Sequence, residues 1–76
     1  MTEAEWLKTF GDNLAFYLRE SGMSQRDLAT LTGLSESAIS NYVNKGRTPT
    51  IRAALNIAYA FGVDVKELID FGGTIG

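Results

Sequence analysis

Along most of this chain apolar residues recur every three or four positions, the spacing that gathers them on one side of an α-helix, and they nowhere alternate with period two. Turn residues cut the pattern into five runs. The first spans about Glu3 to Glu20, with Thr2 and Glu5 in capping-box spacing and Trp6, Phe10, Leu14, Tyr17 and Leu18 facing inward. Gly11 weakens this run by about 1 kcal/mol relative to Ala, and Gly22 supplies its stop. The second run, about 24–31, opens at Ser24, carries Asp27 in its first turn, turns Leu28, Ala29 and Leu31 inward, and ends at Gly33. The third, about 35–44, is capped by Ser35 and turns Ala38, Ile39, Tyr42 and Val43 inward. "NKGRTPT" is a loop, because Gly46 and Pro49 both break a helix. The fourth run extends from about Thr50 to Phe61, with Ile51, Ala54, Leu55, Ala58 and Phe61 on one side. Its cap is Thr50 or Thr48, the latter placing Pro49 at the first helical position. Gly62 closes it. The fifth has Asp64 and Glu67 in capping-box spacing, with Val63 placed to staple onto Leu68. The expected fold class is all-α: one compact five-helix bundle over residues 1–71, with 72–76 as a flexible tail.

Composition fits such a bundle and removes several kinds of chemistry. Seventy-six residues, 45% apolar and 21% charged, allow one domain with a modest core. The chain has no cysteine and no histidine, which excludes disulfides, thiolate or imidazole metal sites and the usual nucleophile–base pairs. Neither a metal nor a cofactor is expected, and serines without His, Cys or a glycine-rich phosphate cradle give no support to an enzyme. No apolar run nears the roughly 18 residues of a membrane span, and the acidic start "MTEAEWLKTF" does not resemble a signal peptide, so the expected setting is cytoplasmic.

Net charge is −2, at first sight unfavourable for a polyanionic partner. The distribution changes that picture. Residues 19–52 hold Arg19, Arg26, Lys45, Arg47 and Arg52 against Glu20, Asp27 and Glu36, whereas the flanks hold Lys8 and Lys66 against six acids. A basic centre in an acidic frame can present one positive face.

The stretch "SQRDLATLTGLSESAISNYV" contains two of the runs, each about two turns long and too short to be stable alone in water. A short turn containing glycine holds two such helices at about 90–120°, so that the second projects from the domain. This stretch resembles the helix-turn-helix of the Cro and phage-repressor family, the xenobiotic-response-element (XRE) type. The likeness rests on Gln25, Leu28-Ala29, Gly33 and Ile39-Ser40, and continues through Pro49 and "LNIAYAFGVDVKEL", covering about residues 10–71.

That resemblance implies a lambda-repressor-like bundle whose third helix enters the DNA major groove, its N-terminal residues meeting base edges while the other helix of the pair crosses the phosphate backbone. Carried over, the base-reading residues are Glu36, Ser37, Ser40 and Asn41, whose side chains suit cytosine, adenine or either. The backbone contacts are Ser24, Gln25, Ser35, Asn44, Lys45, Arg47 and Thr48. The sequence departs from the family at two places. A buried Arg–Glu pair common in relatives is here Leu18 and Val43, both apolar, which predicts that these two side chains touch. The loop glycine also stands one residue later than usual.

The function so implied is sequence-specific binding of double-stranded DNA by a transcriptional regulator, a bacterial or phage repressor, acting as a homodimer on an inverted-repeat operator. Leu68, Ile69, Phe71 and Ile75 either make the dimer contact or close the core. The competing reading is a protein-interaction module on the same fold, such as an antitoxin, supported by the acidic balance and by Glu36 on the reading face.

Overall fold

The computed structural model describes residues 2–69 as five helices: α1 (Glu3–Ser21), α2 (Gln25–Thr32), α3 (Glu36–Asn44), α4 (Ile51–Phe61) and α5 (Val65–Leu68). Each starts where a side chain can satisfy the first free backbone N–H groups. Thr2 Oγ1 accepts from the Glu5 N–H at 3.2 Å while Glu5 Oε1 accepts from the Thr2 N–H at 3.0 Å. Ser24 with Asp27, and Asp64 with Glu67, form the same reciprocal box at the starts of α2 and α5. Thr50, not Thr48, caps α4, its Oγ1 accepting from the Ala53 N–H at 3.0 Å. Pro49 therefore precedes the cap instead of opening the helix.

Every helix sends at least one fully buried side chain to a common centre: Phe10 and Leu14 from α1, Leu28 from α2, Ile39 from α3, Ile57 from α4 and Leu68 from α5. Trp6 stacks on Phe10, and Phe10 meets the edge of Tyr42 at 6.1 Å between ring centroids. Truncating one such residue to Ala in a close-packed core costs about 2–5 kcal/mol. Two amides tie the short elements down. Asn13 Nδ2 donates to the Leu68 carbonyl at 2.8 Å, fastening the four-residue α5 to α1, and Asn56 Nδ2 reaches the Thr32 carbonyl at 3.5 Å, joining α4 to the end of α2.

Gly11 is buried where α1 crosses α3. A Cβ on it would lie 2.8 Å from the Tyr42 carbonyl oxygen and 3.0 Å from that of Val43. The residue that weakens α1 locally is thus what lets the two backbones approach.

Three inward assignments are corrected. Leu31 is 63% exposed, Ile51 82% and Leu55 49%. In α2 the inward place one turn after Leu28 belongs to Thr32, whose buried hydroxyl donates to the Leu28 carbonyl at 2.8 Å and so needs no other partner. In α4 the fully buried residue is Ile57. Residues two apart on a helix point about 160° apart, so Leu55 and Tyr59 on either side of Ile57 must face away from the core. Only Arg52 and Asn56 interrupt the apolar sequence of α4, so more than one face reads as inward and periodicity alone cannot select the phase.

Of the two readings of Leu68, the dimer contact is corrected in favour of core closure. With 0% exposure its side chain is consumed by the monomer core and has no surface for a second copy. Ile69 is half-buried against the core, and Phe71 and Ile75 lie outside the described residues.

Candidate nucleic-acid interface

The α2–α3 unit is built from its turn outward. Gly33 takes a φ of 75°, its N–H returning to the Ala29 carbonyl at 2.9 Å. Thr32 Oγ1, besides donating to Leu28, accepts from the Leu34 N–H at 3.3 Å, and Ser35 then caps α3 by accepting from the Ala38 N–H at 3.0 Å. Between the two helices lie only Gly33, Leu34 and Ser35. Thr32 and Asn56 pin this turn, and sequence reasoning assigned neither a role. For Thr32 the available signal was its place one turn after Leu28.

With Ala38, Ile39 and Tyr42 committed to the core, the other side of α3 is left to solvent. Glu36, Ser37 and Asn44 are exposed and Ser40 and Asn41 half-exposed, so the four residues expected to read bases share one accessible face. Asn44 Nδ2 donates to Ser40 Oγ at 3.3 Å, which joins a residue expected on the backbone to one expected on bases. Glu36 Oε1 lies 3.6 Å from Arg26 Nε on α2. Arg26 therefore belongs to this surface, although the sequence marked it only as a charge.

The flanks of α3 carry the remaining expected residues. Ser24 and Ser35 both spend their oxygen lone pairs on caps, which leaves each O–H free to donate to an anion. Gln25 occupies the first position of α2, half-buried. Lys45 caps the C-terminal end of α3 in an exposed position, and its N–H bonds to the Asn41 carbonyl at 2.9 Å. The late glycine changes how α3 closes. After α1 and α4 a backbone N–H returns five residues, from Met23 to Leu18 and from Val63 to Ala58. After α3 it returns six, from Arg47 to Asn41 at 3.3 Å, with Gly46 at φ 63° absorbing the extra residue. That wider closure sets the Arg47 guanidinium over the Tyr42 ring, 5.9 Å from its centroid. Both cations sit at the negative end of the α3 dipole, where their charge is favoured. Thr48 is exposed beyond them.

A helix-turn-helix family model, HTH_3, matches residues 14–68. The chain belongs to that family. Family members are regulators of transcription that bind double-stranded DNA. An uncharacterised HTH-type transcriptional regulator of Sinorhizobium fredii, y4dJ, is 32% identical over 62 residues, spanning 82% of this chain and 80% of that protein. The restriction-modification controller protein C.AhdI of Aeromonas hydrophila is 31% identical with a TM-score of 0.78, covering 82% of this chain and 94% of its own. An HTH_3 family regulator from Vibrio cholerae has a TM-score of 0.82 at 21% identity, over 88% of this chain and 38% of that one. The hypothetical transcription factor NHTF from Neisseria gives 0.81 at 23%, over 91% and 79%. These last two share the fold.

Proposed function

We propose that this helix-turn-helix protein is a sequence-specific regulator that inserts α3 into the major groove of duplex DNA and acts as a two-fold dimer on an inverted repeat. The observation that carries the reading is the accessible polar face of α3, from Glu36 through Asn41, ending in two cations that no acid neutralises among the described residues. Glu36, Ser37, Ser40 and Asn41 meet base edges. Ser24, Gln25, Ser35, Asn44, Lys45, Arg47 and Thr48 meet phosphates. A nine-residue helix offers few base contacts, so two copies on half-sites about 34–36 Å apart double them.

The second copy is best accommodated on α4. Ile51, Leu55 and Tyr59 recur every fourth residue along it, and Tyr59 is 88% exposed. Beside this stripe lies an apolar groove of about 240 Å³ lined by Trp6, Pro49, Ala54, Val65 and Ile69 among others. An apolar stripe left exposed along a helix calls for cover. Ile69 stays within the dimer surface as a wall of that groove, in place of Leu68.

Selection of bound duplexes from a random pool tests the reading at once. A bipartite, two-fold symmetric consensus is expected, with affinity falling steeply between 50 and 200 mM salt. Lys45→Ala and Arg47→Ala should weaken all sequences alike and each reduce the salt slope by roughly one, whereas Asn41→Ala should blur a single base pair at about 1–3 kcal/mol. No binding to any duplex at low salt would leave the protein-interaction module, for which the α4 stripe supplies the surface.

A further inference from the structure

Glu36 poses a problem for any helix that approaches a polyanion, since its carboxylate leads α3 into the groove. Its neighbour supplies the answer. Arg26 stands on the other helix of the pair, and its Nε faces Glu36 Oε1 at 3.6 Å, with both side chains largely in solvent at 81% and 55% exposure. In water such a pair contributes little to stability. Its value lies in what happens when the surface is covered by DNA, where an unpartnered carboxylate beside phosphates is strongly disfavoured.

Resting on the DNA-binding reading above, we propose that Arg26 is a positioning residue for Glu36 and that the two together select cytosine at one base pair of each half-site. Arg26 neutralises the carboxylate and holds Oε1, leaving Oε2 directed to the base. A carboxylate can only accept hydrogen bonds. In the major groove cytosine presents a donor, its N4 amino group, with no acceptor beside it. Guanine presents only the acceptors N7 and O6, thymine presents O4 and a methyl group, and adenine sets the N7 acceptor beside its amino group. Selection therefore works as much by rejection as by attraction: guanine and thymine repel Oε2, adenine satisfies it in part, and cytosine satisfies it fully.

The test compares wild type, Arg26→Ala, Glu36→Gln and the double variant on a selected duplex and its single-base substitutions, across a salt series. Glu36→Gln should move the preference at one base pair from cytosine to adenine, because an amide both donates and accepts. Arg26→Ala should lower the preference for cytosine at that same base pair roughly tenfold, with the salt slope unchanged. It should have no further effect at that base pair when Glu36 is already Gln, and Arg26→Lys should restore part of the loss through its point charge. Thermal midpoints should stay level, both residues being exposed.

If Arg26→Ala instead weakens every sequence alike and lowers the salt slope by about one, Arg26 is a phosphate contact and the proposal is overturned. Additive effects of the two substitutions, or no effect of Arg26→Ala on cytosine preference, overturn it equally. Failure of the wild type to bind any duplex defeats the parent reading, and this one with it. Any other failure falls on the Arg26–Glu36 pair alone.

Discussion

Gly11→Ala reverses the ordinary expectation for a glycine inside a helix. In an exposed helix the exchange gains about 1 kcal/mol through propensity. Here the new Cβ would stand 2.8 Å from the Tyr42 carbonyl oxygen and 3.0 Å from that of Val43. Both neighbours are backbone, so neither contact can be relieved by a change of rotamer. Restoring an ordinary separation of 3.4 Å requires α1 and α3 to part by about 0.6 Å, across an interface where Phe10 also meets the edge of Tyr42. Overpacking of this kind costs about 1–3 kcal/mol. Set against the propensity gain, a net loss of up to about 2 kcal/mol is expected. Urea unfolding measures it as a lowered midpoint at constant slope. Because α3 carries the reading face, duplex affinity at fixed salt should fall as well. An increase in stability of about 1 kcal/mol would mean that propensity alone governs the position, and the close approach of α1 and α3 would have to be abandoned.

Other consequences of the structure are as direct. Leu18 is buried and Val43 packs half-buried against the same core, so their contact should appear in a Leu18→Ala, Val43→Ala cycle as a coupling of about 0.5–3 kcal/mol, and strict additivity in urea melts would exclude it. Ile51→Glu and Tyr59→Glu should abolish self-association in sedimentation while leaving the thermal midpoint nearly level, since both positions are exposed in the monomer; a dimer that survives both lies elsewhere. The Thr2 backbone N–H, then its hydroxyl, hold the Glu5 carboxyl below its ordinary value. A carboxyl lowered on folding stabilises above its unfolded value, and that stabilisation is lost as pH falls through the folded one. Glu5→Ala should therefore lower the neutral-pH midpoint slightly and remove part of its acid dependence, which melts across the carboxylate range would resolve.

What the sequence reveals depends on how many signals converge on each residue. The helix starts were legible because a cap is local chemistry: Thr2 with Glu5 and Asp64 with Glu67 form their boxes whatever the rest of the chain does. The inward side of α1 was legible because polar residues bound it. The inward side of α4 was not, because its sequence leaves the phase to tertiary packing, and Ile57 prevails over Ile51 and Leu55 only once α2 and α5 are in place. Gly11 read as a cost because propensity concerns one helix, whereas its use concerns two. The polar face of α3 could be foreseen from its residues, but the Arg26–Glu36 pair could not, since residues ten apart on different helices meet only through the geometry of the turn.

The same distinction between local and tertiary chemistry explains how a chain with a net charge of −2 can present itself to a polyanion. Among the described residues, six acids are engaged. Glu5, Asp27, Asp64 and Glu67 accept from backbone N–H groups at helix starts, where the dipole offsets their charge, and Asp12 and Glu36 face Lys8 and Arg26. These engagements shorten the reach of the negative field, as does salt at a Debye length of about 8 Å. Lys45 and Arg47 stand outside every ion pair among the described residues, both at one end of α3 and one of them held over Tyr42. A duplex approaching α3 therefore meets these two charges first. The salt dependence of binding should accordingly follow the two cations and not the formal sum, and neutralising acids at the starts of α1 and α5 should leave it almost unchanged.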